Sequence, residues 1–147
     1  MSKKSEITIE YFEVYGIADP LRFLLHREKV DYELVIYDLE AWGKLKKEGK
    51  GGEFGGLPRV TYKGKEYGQS MAILRMFGQK YGYYDASDWK AAAKADVFLD
   101  AWFDMQEKVN SVSLGMLMGG LKKEEAEAKI DKAIELAHVP VLKIMEA

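Results

Sequence analysis

Cysteine is absent from the 147 residues. That excludes disulfides, cysteine-ligated zinc and any redox or nucleophilic thiol supplied by the protein. Histidine is nearly absent too. His26 and His138 stand far apart, so no metal site is expected and both read as helix-surface or core-edge residues. No apolar run approaches the roughly 18 residues of a membrane span. "MSKKSE" leads straight into a strand pattern without an apolar signal region, so the expected setting is cytoplasmic, with no membrane partner. Charge of one sign is not in excess. The formal net charge is -2, which argues against a nucleic-acid partner, because phosphate binding needs a basic face. The basic cluster "KLKKEGKGG" at 44–52 is ordinarily a solvated loop.

What is present is a core's worth of apolar residues, 48% of the chain, at a length that suggests one domain or one plus part of another. "EITIEYFEV" (6–14) alternates Ile7, Ile9 and Tyr11 against polar neighbours and reads as a strand. "YGIADPLRFLLHREK" then supplies a glycine turn, Asp19 as N-cap and Pro20 at the first helical position. "DYELVIYDL" (31–39) is a second strand, so the first two strands should lie parallel. "EAWGKLKKEGKGGEFGG" allows a short helix at best and then a Gly/Lys loop. "LPRVTY" and "KEYG", joined by "KG", form a hairpin, and "SMAILRMFGQKYG" is a helix from Ser70 to about Gly78–Gly82.

Beyond "YGYYDASD" the pattern becomes all-helical. Residues 88–110 read as one long helix capped by Asp88 or Ser87, "SVSLGMLMGGL" as a helix tail or a loop, and the last 26 residues as an amphipathic helix interrupted by Pro140. The expected fold is therefore α/β, a thioredoxin-like N-terminal domain (βαβ-ββα) over 1–82 followed by an incomplete all-α domain over 83–147.

Two short stretches bear on binding. A proline opening the third strand of such a fold can take the cis form and turn the main chain of Leu57 outward, where an extended peptide could pair with it. From "LP" alone an ordinary trans proline is the simpler reading. "QS" tips the balance, because a helix N-terminus with exposed N–H groups suits a carboxylate. Ser70 could equally cap its own helix.

"LPRVTYKGKEYGQSMAILRMFGQKYG" resembles the second half of the glutathione-binding domain of cytosolic glutathione S-transferases, and "EYFEVYGIADPLRFLL" its first half. The helical part resembles the start of that family's second domain, and the whole is most similar to the sigma class or its invertebrate and protist relatives. The resemblance implies that Tyr11 directs its hydroxyl at the glutathione sulfur as the catalytic residue. It implies that Leu57 and Pro58 pair with the cysteinyl backbone, that Gln69 and Ser70 hold the γ-glutamyl carboxylate, and that Trp42 and Lys46 hold the glycine carboxylate. Asp96, Asp100 and Asp104 recur at helical spacing along one face. Asp104 is implied to reach the glutathione amine from the partner subunit of a homodimer.

Glutathione is thus the implied co-substrate, without a metal. The implied activity adds its thiol to a small hydrophobic electrophile in detoxification, or uses it in an isomerisation. The alternative is a catalytically weak or inactive module of the same fold. Three departures from the family pattern favour it: Tyr15 and Ile17 where the family has arginines, Gly56 where it has a polar residue, and a chain that stops after about two helices of the second domain. The sequence is either partial or a natural short form, and a short form would expose apolar faces of 97–118 and 134–145 unless a partner covers them. A disulfide oxidoreductase is eliminated by the missing cysteines.

Overall fold

A computed structural model describes residues 5–117, 120, 122–132 and 135. The chain forms two compact units, Met1–Tyr84 and Asp85–Ala147. The first contains β1 (Ile7–Phe12), α1 (Asp19–Arg27), β2 (Glu33–Tyr37), α2 (Leu39–Lys47), β3 (Arg59–Tyr62), β4 (Lys65–Tyr67) and α3 (Ser70–Lys80). Its sheet has the order β2-β1-β3-β4. β1 and β2 are parallel, as the intervening helix requires, and the β1–β3 and β3–β4 pairs are antiparallel. This is the thioredoxin-like arrangement.

Strand alternation creates the core. Ile7, Ile9 and Tyr11 occupy the buried positions of β1, and Ile7 and Ile9 pack with Leu21 and Leu25 of α1, Val60 of β3, and Ile73 and Phe77 of α3. Burying each of the larger side chains in this cluster stabilises the fold by about 1.5–3 kcal/mol. The hairpin turns on Lys63 and Gly64, both with positive φ (49° and 78°), the conformation that matches the twist of the flanking strands.

Several boundaries differ from the sequence expectation. The second strand is shorter than 31–39, because the Asp31 carbonyl accepts from the Ser5 hydroxyl (2.7 Å) and Asp38 is already the N-cap of α2, accepting from Ala41 N–H (2.7 Å). With that cap, α2 runs nine residues, the short helix expected before the Gly/Lys loop. Asp19 is not the N-cap of α1. Ala18 holds that position, Asp19 is the first helical residue, and Pro20 follows. The Asp19 carboxylate still reaches back to accept the Gly16 N–H at 2.6 Å, so it closes the turn before the helix.

In the second unit α4 spans Trp89–Leu117. Asp88 caps it, accepting from Lys90 and Ala91 N–H at 3.1 Å each, while Ser87 bonds instead to Asp85. The stretch after 110 is therefore helix tail as far as Leu117. Residues 123–132 are also helical. Met118, Gly119 and Leu121, and the expected continuation with His138 and Pro140, lie outside the described residues.

Candidate functional site

The topology gathers the candidate residues of the first unit at one end of the sheet. β1 ends there at Tyr11–Phe12. β3 starts there, because Glu10 pairs with Arg59 in antiparallel register. β4 ends there as well, since Tyr67 pairs with Val60, and α1, α2 and α3 each follow a strand that finishes at that end. Tyr11, Leu57, Pro58, Gln69 and Ser70 share this end without being neighbours in sequence.

Tyr11 is buried, 5% exposed, on the core face of β1. Burial pushes its phenol above the ordinary 10.0. The main-chain N–H of Ile17, which hydrogen-bonds the phenol oxygen, works against this, and the negative charge of Asp19 works with it. Near neutrality the phenol therefore keeps its proton and can donate it in a hydrogen bond. Ile17 contributes through its backbone alone, which sequence patterns do not reveal. The turn that presents this amide is held by Asp19, whose carboxylate binds Gly16 N–H (2.6 Å) and Arg22 Nη1 (2.9 Å).

The Leu57–Pro58 peptide bond is cis. The β1–β3 ladder stops at Arg59, and the Leu57 main chain makes no hydrogen bond among the described residues. An edge donor and acceptor are thus left over. Gln69 is exposed, with φ 67° and ψ 96°, a costly conformation for a residue with a side chain. Ser70, 8% exposed, is the first residue of α3, whose opening N–H groups have no helical acceptor. No side-chain cap closes this helix end. The Ser70 hydroxyl has no hydrogen bond among the described residues, yet it is not sealed from solvent.

Trp42 and Lys46 lie one turn apart on α2. Trp42 is buried and turned toward the sheet, with its ring centroid 5.8 Å from that of Tyr37. Lys46 is exposed, and its stem lies against Gly51, where an added Cβ would sit 3.0 Å from Lys46 Cγ. Asp104 belongs to the second unit, exposed on α4.

The sequence reading missed a polar cluster on the α2 side of the sheet. Arg59 Nε and Nη2 donate to the Glu10 carboxylate at 2.5 and 2.8 Å, and the Tyr37 hydroxyl donates to the same group at 2.8 Å. Burial alone would raise the Glu10 carboxyl, but the Arg59 and Tyr37 hydrogen bonds and the Arg59 charge outweigh it and hold the group below its usual range. Opposite charges at the polar-face position of β1 and at the first residue of β3 were the available signal. Among the described residues no group of three potential metal ligands occurs, and no helix is long and apolar enough to cross a membrane.

Comparison with known proteins gives no matching family model. Curated relatives do match. "Glutathione S-transferase 4" of Caenorhabditis elegans is 33% identical over 94 residues, 64% of this chain and 44% of that protein. "Glutathione S-transferase S1" of Drosophila melanogaster is 29% identical over 110 residues, 75% of this chain and 43% of that protein. Among solved structures, a Nu-class glutathione S-transferase from Haemonchus contortus superposes with TM-score 0.62 at 31% identity, covering 88% of this chain and 65% of that one. The chain spans less than half the length of these two curated relatives.

Proposed function

We propose that this chain, which belongs to the glutathione S-transferase family, binds glutathione at the strand-end site of its first unit and activates the thiol. The observation that carries this reading is the neutral, buried Tyr11 phenol beside the Ile17 amide, at the sheet end that also holds an unused Leu57 main chain and an uncapped α3 N-terminus. The tripeptide would lie extended. Its cysteinyl backbone would pair with Leu57 and Pro58, its γ-glutamyl carboxylate with Gln69 and the Ser70 end of α3, and its glycine carboxylate with Trp42 and Lys46.

In this reading the glutathione thiol loses its proton to solvent and the Tyr11 hydroxyl donates a hydrogen bond to the thiolate. A hydrogen bond to a charged acceptor contributes about 1.5–3 kcal/mol. The sulfur then forms a bond to an electrophilic carbon of a small hydrophobic molecule, and the leaving group departs with the electron pair. A homodimer, with Asp104 of each subunit reaching the glutathione amine of the other, completes the proposal.

A second reading keeps the fold and the ligand contacts but not the turnover. Ile17 favours it, because its main-chain amide reaches the Tyr11 oxygen but its apolar side chain adds no charge where the resembled family has an arginine. Retention on immobilised glutathione, with conjugation of a test aryl halide that is lost in Tyr11→Phe, supports the enzyme. Retention without turnover in the unaltered chain supports the second reading, and no retention at millimolar glutathione refutes both.

A further inference from the structure

We propose that Arg59 is a positioning residue for the glycine end of glutathione, acting through Trp42 and the turn that follows α2; this rests on the glutathione reading above. Three observations converge on its guanidinium. It is anchored on β1 by the paired bonds to Glu10, with 13% of each side chain exposed. Its carbon lies 5.9 Å from the Trp42 ring centroid, a cation–π approach. Its Nη1 donates to the Lys50 carbonyl at 2.9 Å and lies 3.4 Å from Glu66.

The guanidinium therefore ties β1, α2, β4 and the 48–52 turn together. The Trp42 ring contacts both the Tyr37 ring on one strand and the Arg59 guanidinium on another. Trp42 itself is 6% exposed, but its indole N–H has no hydrogen-bond acceptor among the described residues and is not sealed from solvent. It is a donor that no described residue uses, on a ring held by its neighbours. The same clamp holds the 48–52 turn through Lys50, and within that turn Gly51 backs the stem of Lys46. A ligand carboxylate would meet an oriented indole N–H and a Lys46 ammonium, both set by a residue that need not touch it. Lysine at 59 would keep the charge but lose the paired geometry toward Glu10 and the planar face toward Trp42.

The experiment compares dissociation constants of the full chain for glutathione and for γ-glutamylcysteine, which lacks the glycine. Unaltered protein is expected to prefer glutathione, and failure of that preference overturns the glutathione assignment itself. In Arg59→Gln the glutathione constant is expected to rise about tenfold while that for γ-glutamylcysteine stays within about twofold, a loss on the scale of one oriented charge-assisted contact. Arg59→Lys, which keeps the ion pair, is expected to lie between and guards against a poorly folded first variant. Equal weakening of both ligands in the two variants, or no change in either, overturns the positioning role while leaving the glutathione site standing.

Discussion

Replacing Arg59 with methionine is the sharpest test of the cluster between the sheet and α2. The substitution removes the bonds of 2.5 and 2.8 Å to Glu10 and the 2.9 Å bond to the Lys50 carbonyl. It leaves the Glu10 carboxylate, 13% exposed, with the Tyr37 hydroxyl alone. Exposed ion pairs contribute at most about 1 kcal/mol, whereas stripping one partner from a buried pair costs about 3–5 kcal/mol. At this burial the expected loss is about 3 kcal/mol.

The pH dependence gives an independent sign. In the unaltered protein Glu10 is held below its ordinary 4.5. Its contribution is complete above the unfolded value and is lost as pH falls through the lowered folded one. Without Arg59, burial dominates and raises the folded value above the unfolded one, so protonation now favours the native state. The deficit of Arg59→Met should therefore narrow as the pH is lowered from about 7 toward 4. Urea unfolding across that range, with Glu10→Gln and the double variant closing a cycle, measures both effects. A deficit under about 1 kcal/mol, or one that widens in acid, refutes the reasoning.

Further expectations follow from the same contacts. Phe77→Ala, at a fully buried position whose ring centroid lies 5.3 Å from that of Tyr62, should cost about 3–5 kcal/mol in thermal or urea unfolding. Asp19→Ala releases the Gly16 N–H and the Arg22 contact. It should cost about 1–2 kcal/mol and lower glutathione turnover more than glutathione binding, because the Ile17 turn loosens beside Tyr11. Since burial raises the Tyr11 phenol above 10.0, the unfolded chain ionises there first and stability falls as pH climbs past about 10. Tyr11→Phe should flatten that alkaline loss relative to the unaltered protein.

Much of the first unit could be read from the sequence because local rules agreed with the fold. Ile7, Ile9 and Tyr11 alternate, "KG" suits a two-residue hairpin turn, and Ser70 opens an apolar helical stripe. The errors fell where a side chain closed a turn by a contact three residues away. Asp19 bonds backward to Gly16, and Asp38 ends one element by starting the next. Beyond the opposite charges of Glu10 and Arg59, the clamp around Arg59 was not legible, because its members lie on β1, β2, α2 and β3 and only the strand register brings them together. The main-chain partner of Tyr11 left no trace in residue identities. In the second unit the repeat of Asp96, Asp100 and Asp104 was visible, but a face shared along one helix says nothing of what it meets.

The most direct measurement is the acidity of the bound glutathione thiol, followed by thiolate absorbance in the binary complex of the unaltered protein and of Tyr11→Phe. A phenol that donates to the sulfur should lower the bound thiol by about one to two pH units relative to the phenylalanine variant, each unit being about 1.4 kcal/mol. Identical titration of the two complexes, with glutathione demonstrably bound in both, would contradict the account.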